Sequence, residues 1–135
     1  VTDVSALGTV KQTLVLSGCS GVVDVSSLGS VPELYLCGTG VVDVSALDGV
    51  RELNLRGCTS LVDVSALGTV ETLNLSECIA LTDVSALGGV KKLELRGCVA
   101  ITDVSALGGV QELDLSHCTG ITDVSALWVG CASST

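Results

Sequence analysis

Apolar residues return along this chain in a fixed order that closes on twenty positions. In the clearest unit, apolar residues or Cys fall at Val90, Leu93, Leu95, Cys98, Ile101, Val104 and Leu107, and Val110 opens the next. The steps are 3, 2, 3, 3, 3, 3 and 3. The single step of two predicts a short strand, because alternate residues of a strand share a face. The steps of three predict a chain that turns inward once per three residues, as tight turns and 3₁₀ segments do. Six strands follow, centred on Leu14–Leu16, Leu34–Leu36, Leu53–Leu55, Leu73–Leu75, Leu93–Leu95 and Leu113–Leu115. Stacked in parallel at ~4.8 Å, they span about 25–30 Å.

The phrase Asp-Val-Ser marks the same period, at Asp3, Asp24, Asp43, Asp63, Asp83, Asp103 and Asp123. Its spacings are 21, 19, 20, 20, 20 and 20 residues. A unit this small cannot bury its own apolar side chains, so a core forms only by stacking. The expected architecture is α/β in class: a curved solenoid with one parallel sheet of about six short strands on the concave face, and tight turns or 3₁₀ segments on the convex side. The whole chain, 1–135, reads as one domain of about six repeats. It opens within a repeat and shows no clear caps, so a segment of a longer solenoid is expected. Val and Leu at uncapped ends favour end-to-end self-association. Trp128-Val129 interrupts the Gly-Gly pattern and could begin a terminal seal.

Two slips disturb the register. Val10 to Leu14 is one residue longer than its counterparts, and Leu36 to Asp43 is one shorter, which leaves Thr39 where other units carry Cys. A local bulge is expected at each, within a continuous sheet. Asp or Ser in the Asp-Val-Ser corner should accept a backbone N–H two or three residues on and so cap a helical turn. Gly88-Gly89 and Gly108-Gly109 should supply the bend back toward the strand.

Leu93-Glu-Leu-Arg-Gly-Cys98-Val-Ala-Ile101 resembles the leucine-rich-repeat signature LxxLxLxx(N/C)xL, and the match recurs in six units. Cys at the usual Asn position is similar to the cysteine-containing repeats of intracellular proteins. Leu113-Asp-Leu-Ser-His-Cys118-Thr-Gly-Ile121-Thr-Asp-Val-Ser-Ala-Leu127 resembles repeats of trypanosome leucine-rich-repeat proteins, including the expression-site-associated group. The Asp-Val-Ser-Ala-Leu corner is similar to the Asp-Ile-Ser-Pro-Leu corner of bacterial internalin-type repeats. Those relatives generally use 22 or more residues per unit, so the twenty here implies a thinner convex side. Neither the zinc-finger segment of some trypanosome members nor the helical N-terminal cap of internalins is present. The resemblance implies a protein-recognition scaffold and carries over no catalytic residue.

Composition agrees with a regular stack. Hydrophobic residues make up 47% of the chain, yet there is no Phe or Met and only one Tyr and one Trp. The formal charge of −9 follows largely from the repeat, since seven of the fifteen acids are the recurrent Asp and the remaining eight face six bases. Lys91-Lys92 is the only basic pair, which argues against a nucleic-acid partner. No apolar run approaches the ~18 residues of a membrane span.

Candidate chemistry is sparse. Cys19, Cys58, Cys78, Cys98 and Cys118 share one repeat position. Their layers lie within nominal disulfide reach, but parallel stacking points their Cβ vectors the same way. Each is better read as a small buried thiol satisfying a turn carbonyl. A zinc site needs converging ligands, and these lie on a line. Cys37 and Cys131 are expected to be exposed, and so many unpaired thiols favour an intracellular, reducing compartment, cytoplasmic or nuclear. His117 stands at a turn where other units have Gly18, Gly38, Gly57, Glu77 and Gly97. Calcium-binding Asp repeats use a glycine-rich nonapeptide that is absent here. No catalytic set emerges, so the chain reads as non-enzymatic, with no cofactor and no metal.

Residues between the strand leucines should point onto the concave sheet. The central column reads Val15, Tyr35, Asn54, Asn74, Glu94, Asp114. Beside it run Ser17, Cys37, Arg56, Ser76, Arg96, Ser116 and Thr13, Glu33, Glu52, Thr72, Lys92, Glu112. These columns vary between copies while inward positions scarcely change. Aromatic and Arg anchors dominate interfaces, so the candidate partner-binding residues are Tyr35, Asn54, Arg56, Asn74, Glu94, Arg96 and Asp114. The expected function is protein–protein interaction through this face, with a structural or cell-surface adhesion segment as the alternative.

Overall fold

The computed structural model describes residues 12–19 and 21–121. Six parallel strands form one sheet in chain order: β1 Thr13–Val15, β2 Glu33–Tyr35, β3 Glu52–Asn54, β4 Thr72–Asn74, β5 Lys92–Glu94 and β6 Glu112–Asp114. The ladder runs past the strand ends. Leu16 N donates to Tyr35 O at 2.8 Å, and two residues on Gly18 N donates to Cys37 O at 2.7 Å. Each strand is thus paired into its turn.

On the return side, four 3₁₀ turns span Ser45–Gly49, Ser65–Thr69, Ser85–Gly89 and Ser105–Gly109. The step of three in the sequence is the hydrogen-bond period of the backbone. Cys58 N reaches Leu55 O at 3.1 Å, and Leu61 N reaches Cys58 O at 3.1 Å. After a short extended stretch, Leu67 N reaches Val64 O at 3.0 Å and Val70 N reaches Leu67 O at 3.2 Å. Each of these i→i+3 bonds joins one inward residue to the next, so the turn that satisfies the backbone also aims the side chain at the core. Leu, Val, Ile and Cys fill that core continuously from Leu16 to Ile121. The result is a solenoid with one parallel sheet and 3₁₀ turns on the return side, as the spacing predicts.

At the corner it is Asp, not Ser, that accepts, and the bond lies ahead of the helical turn rather than capping it. Ser45 N donates to Asp43 Oδ1 at 3.0 Å, and the bond repeats at Ser65, Ser85 and Ser105. This Asx turn sets Val44-type residues inward.

One expectation is corrected. The short repeat produces no bulge: β2 and β3 pair without a skipped residue, Glu33 against Glu52. The missing residue comes out of the turn that follows Thr39, where the chain passes from Thr39 to buried Val41 in two steps. The slip before Leu14 lies outside the described residues, as does Trp128-Val129. Gly88 and Gly89 close the 3₁₀ turn that leads back toward β5, and neither takes a positive φ. Positive φ occurs instead just after the strands, at 81°, 69°, 75° and 74° for Gly18, Gly38, Gly57 and Gly97. Gly88 is required by close stacking, since a Cβ there would lie 2.5 Å from the carbonyl oxygen of Ala106 in the next layer.

Candidate interaction face

The strands bury their leucines and turn alternate side chains onto the open sheet. Cα register brings Val15 against Tyr35, Tyr35 against Asn54, Asn54 against Asn74, Asn74 against Glu94, and Glu94 against Asp114. The central column is therefore contiguous. Val15 is 63% exposed, more than any other large hydrophobic among the described residues. Tyr35 is half-buried and its hydroxyl donates to Glu52 Oε1 at 2.8 Å. That bond, with the Glu52 carboxylate beside it, raises the phenol above its ordinary value. The ring is thus fixed rather than free to swing.

Asn54, Asn74 and Asp114 have a second duty that the sequence did not reveal. Their Oδ1 atoms accept the backbone N–H of Arg56, Ser76 and Ser116 at 3.0, 2.9 and 2.9 Å. These Asx turns close the strand ends. Hydrogen bonds from Ser116, side chain first and backbone second, hold the Asp114 carboxyl below the usual carboxylate range, and the nearby Arg96 and His117 charges act the same way. An Asn or Asp two residues ahead of the turn is the signal that could have found them.

Arg56 pairs with Glu77, with Nη2 at 2.6 Å and Nε at 2.8 Å from Oε1. Both side chains are more than half exposed, so the pair adds at most about 1 kcal/mol. Among the described residues, Glu77 and His117 are the two non-glycine residues at positive φ, 63° and 62°, in the column otherwise held by glycine. Lys92 lies 3.8 Å from Glu94, Lys91 3.1 Å from Glu71, and Arg51 3.4 Å from Glu33. Arg96 enters no ion pair among the described residues and remains exposed. The register joins neighbouring candidates, but Tyr35 and Arg96 stand three strands apart. Ser76, expected to face out, is 7% exposed.

The cysteine column forms a ladder inside the core. Cys58, Cys78, Cys98 and Cys118 donate Sγ to Leu36, Leu55, Leu75 and Leu95 O at 3.3, 3.2, 2.9 and 2.8 Å. Each carbonyl belongs to the preceding turn, so the thiols tie layers together. Thr39 occupies the gap: its Oγ1 donates to Leu36 O at 2.8 Å and lies 3.6 Å from Cys58 Sγ. Burial pushes these thiols up, Cys78 to about 12 and Cys98 to about 11. All six described cysteines are free, and Cys37 is half-buried rather than open.

On the opposite corner, Asp43, Asp63 and Asp103 are held below the ordinary carboxylate range chiefly by the N–H of the following Ser, and Asp83 chiefly by the Ser85 hydroxyl. Among the described residues no three His, Cys, Asp or Glu side chains converge on a metal-sized point, and no helix is long and apolar enough to cross a membrane.

The family described as "Leucine Rich repeat" matches residues 110–127. No curated protein matches in sequence. Among solved structures, an internalin (inlF) from Listeria monocytogenes str. 4b F2365 is 25% identical, with a TM-score of 0.64 over 83% of this chain and 37% of that one. The functional domain of InlJ from Listeria monocytogenes, whose description notes a cysteine ladder, is 17% identical with a TM-score of 0.51, over 97% of this chain and 37% of that one. The chain thus spans little more than a third of either. The first likeness agrees with the internalin-type corner read from the sequence, and the second concerns fold alone.

Proposed function

We propose that this chain, a solenoid with an open parallel sheet that is similar to leucine-rich-repeat proteins, is a non-catalytic interaction module that receives a protein partner on the concave face. One observation carries the reading. Across six strands in register the inward position is always Leu, buried in five strands and partly buried in β1, while the outward position beside it changes from Val to Tyr, Asn, Glu and Asp. Packing constrains the first and leaves the second open to recognition.

Tyr35, Arg56 and Arg96 are the anchors in this proposal, with Asn54, Asn74, Glu94 and Asp114 filling the surface between them. A fixed aromatic ring and exposed guanidinium groups suit such a role. The ladder of free thiols supports a reducing, intracellular setting. The likeness to an internalin favours a second reading, an adhesion or structural segment. Affinity capture from a reducing lysate of the source cells separates the cases. A protein retained by the wild type and lost by Arg56→Glu/Arg96→Glu, with an unchanged melt, supports the concave face; retention by both removes it.

A further inference from the structure

The central column of the concave face changes character in one direction. It runs Val15, Tyr35, Asn54, Asn74, Glu94, Asp114 in continuous register: apolar, aromatic, neutral amide, anionic. The two ends differ in what they lack. At the β1–β2 end, Val15 is 63% exposed, and the Tyr35 ring beside it is held by its bond to Glu52. Apolar surface there has no cover within the described chain.

The sheet carries two like-charged pairs in direct register, Glu33 with Glu52 and Glu94 with Asp114. Such pairs are destabilising unless offset. The first is offset within the chain: Glu33 accepts from Thr13 Oγ1 at 2.8 Å and meets Arg51 at 3.4 Å, while Glu52 accepts from Tyr35. The second is offset less well. Glu94 has Lys92, at 3.8 Å, and Asp114 has the Ser116 side chain and N–H and the more distant Arg96 and His117, with no ion pair of its own among the described residues. A cleft of about 270 Å³ opens between β5 and β6 beside them, and Glu112 also lines it. With His117 counted as neutral at pH 7, three carboxylates against Lys92 and Arg96 leave one net negative charge at this end.

We infer that the concave face binds an extended protein segment in one orientation, with an apolar side chain over Val15–Tyr35 and a cationic side chain at Glu94–Asp114. This rests on the concave-face reading and adds the partner's chemistry to it. From one pole to the other is four strand spacings, about 19 Å, which an extended segment crossing the strands covers in about six residues. The apolar end buries surface that is otherwise wet. The cationic end offsets a charge pair the fold leaves under-compensated, and complementarity of this kind fixes orientation more than raw affinity.

The test uses fluorescein-labelled peptides and fluorescence anisotropy on the full chain. One carries a Leu pair and an Arg pair six residues apart, a second has the pairs adjacent, and a third replaces the Arg pair by Glu. The first is expected to bind at least about tenfold more tightly than the others, the effect of one charge-assisted contact. Val15→Ser should weaken it. So should Glu94→Gln/Asp114→Asn, a pair of changes that removes both charges yet keeps a side-chain oxygen to accept the Ser116 N–H. Equal binding of all three peptides, preference for the Glu peptide, or binding of none overturns the inference. If lysate capture still depends on Arg56 and Arg96 in that event, the concave reading survives and only the polarity falls. If capture is indifferent to every concave variant, both fall.

Discussion

The Cys98 thiol donates to the Leu75 carbonyl at 2.9 Å, and that carbonyl already accepts the Cys78 N–H at 3.2 Å. One acceptor thus serves two successive layers, its second lone pair going to the layer above. The arrangement recurs at Leu55, with Cys58 N and Cys78 Sγ, and at Leu95, with Cys98 N and Cys118 Sγ. Layer stacking is therefore hydrogen-bonded in the core as well as along the sheet.

Removing a rung should show. Cys98→Ala deletes a fully buried sulfur and its bond, and is expected to cost about 1–3 kcal/mol in urea unfolding. Cys37→Ala, off the ladder and half-buried, should change stability by no more than about 0.5 kcal/mol. Equal losses would mean the ladder thiols are ordinary filling.

The same thiols set an alkaline limit. Burial raises Cys58, Cys78, Cys98 and Cys118 above their ordinary value of 9.0 in the folded chain. The unfolded chain loses these protons first, so stability is complete below about pH 9 and falls as pH rises toward 11–12. A series of denaturant melts from pH 8 to 11 should show this decline, and Cys78→Ala/Cys98→Ala should flatten its slope. An unchanged slope in the double variant would assign the decline to other groups.

The corner carboxylates act at the other end of the scale. Asp43, Asp63, Asp83 and Asp103 titrate below 3.8 in the folded state. Their contribution is present above that value and is lost as pH falls through the lowered values. Asp63→Asn keeps the Oδ1 acceptor for Ser65 N–H and should retain neutral-pH stability better than Asp63→Ala. Equal melts for the two would show that the Asx turn is dispensable.

His117 occupies a left-handed position, φ 62°, that four described repeats give to Gly. His117→Gly is expected to raise stability by about 0.5–1 kcal/mol. Gly57→Ala, at φ 75°, should lower it by a similar amount. A thermal melt of each checks the sign, and a loss with His117→Gly would mean the imidazole is held by contacts that outweigh the backbone strain.

Much of this was legible in the residues, for one physical reason. When inward side chains and turn hydrogen bonds share a period, the spacing of Val, Leu, Ile and Cys fixes both, and the strands at Leu53 and Leu93 could be placed to within a residue. The cysteines could be read as carbonyl donors, though not that the carbonyl lies one turn earlier. Sequence spacing did not say which glycine bends and which only makes room: Gly57 takes the left-handed φ, whereas Gly88 yields space to Ala106 O. Asn54 and Asn74 read as outward amides by strand alternation, and their place two residues ahead of the turn is the signal for their bonds to Arg56 N and Ser76 N. Glu52 was missed as the support of Tyr35, because a hydroxyl-to-carboxylate bond across 17 residues leaves no local pattern.

Carboxylates lie on both faces of this solenoid, so one labelling experiment can ask which face a partner covers. The captured complex would be treated with a water-soluble carbodiimide and an amine, and modification of each Asp and Glu compared with that of the free chain by mass spectrometry. Slower labelling of Glu52, Glu94, Glu112 and Asp114, with Asp43, Asp63 and Asp83 unchanged, is the result predicted for a concave interaction face. Protection confined to the Asp corner, with the sheet carboxylates labelled as in the free chain, would contradict it.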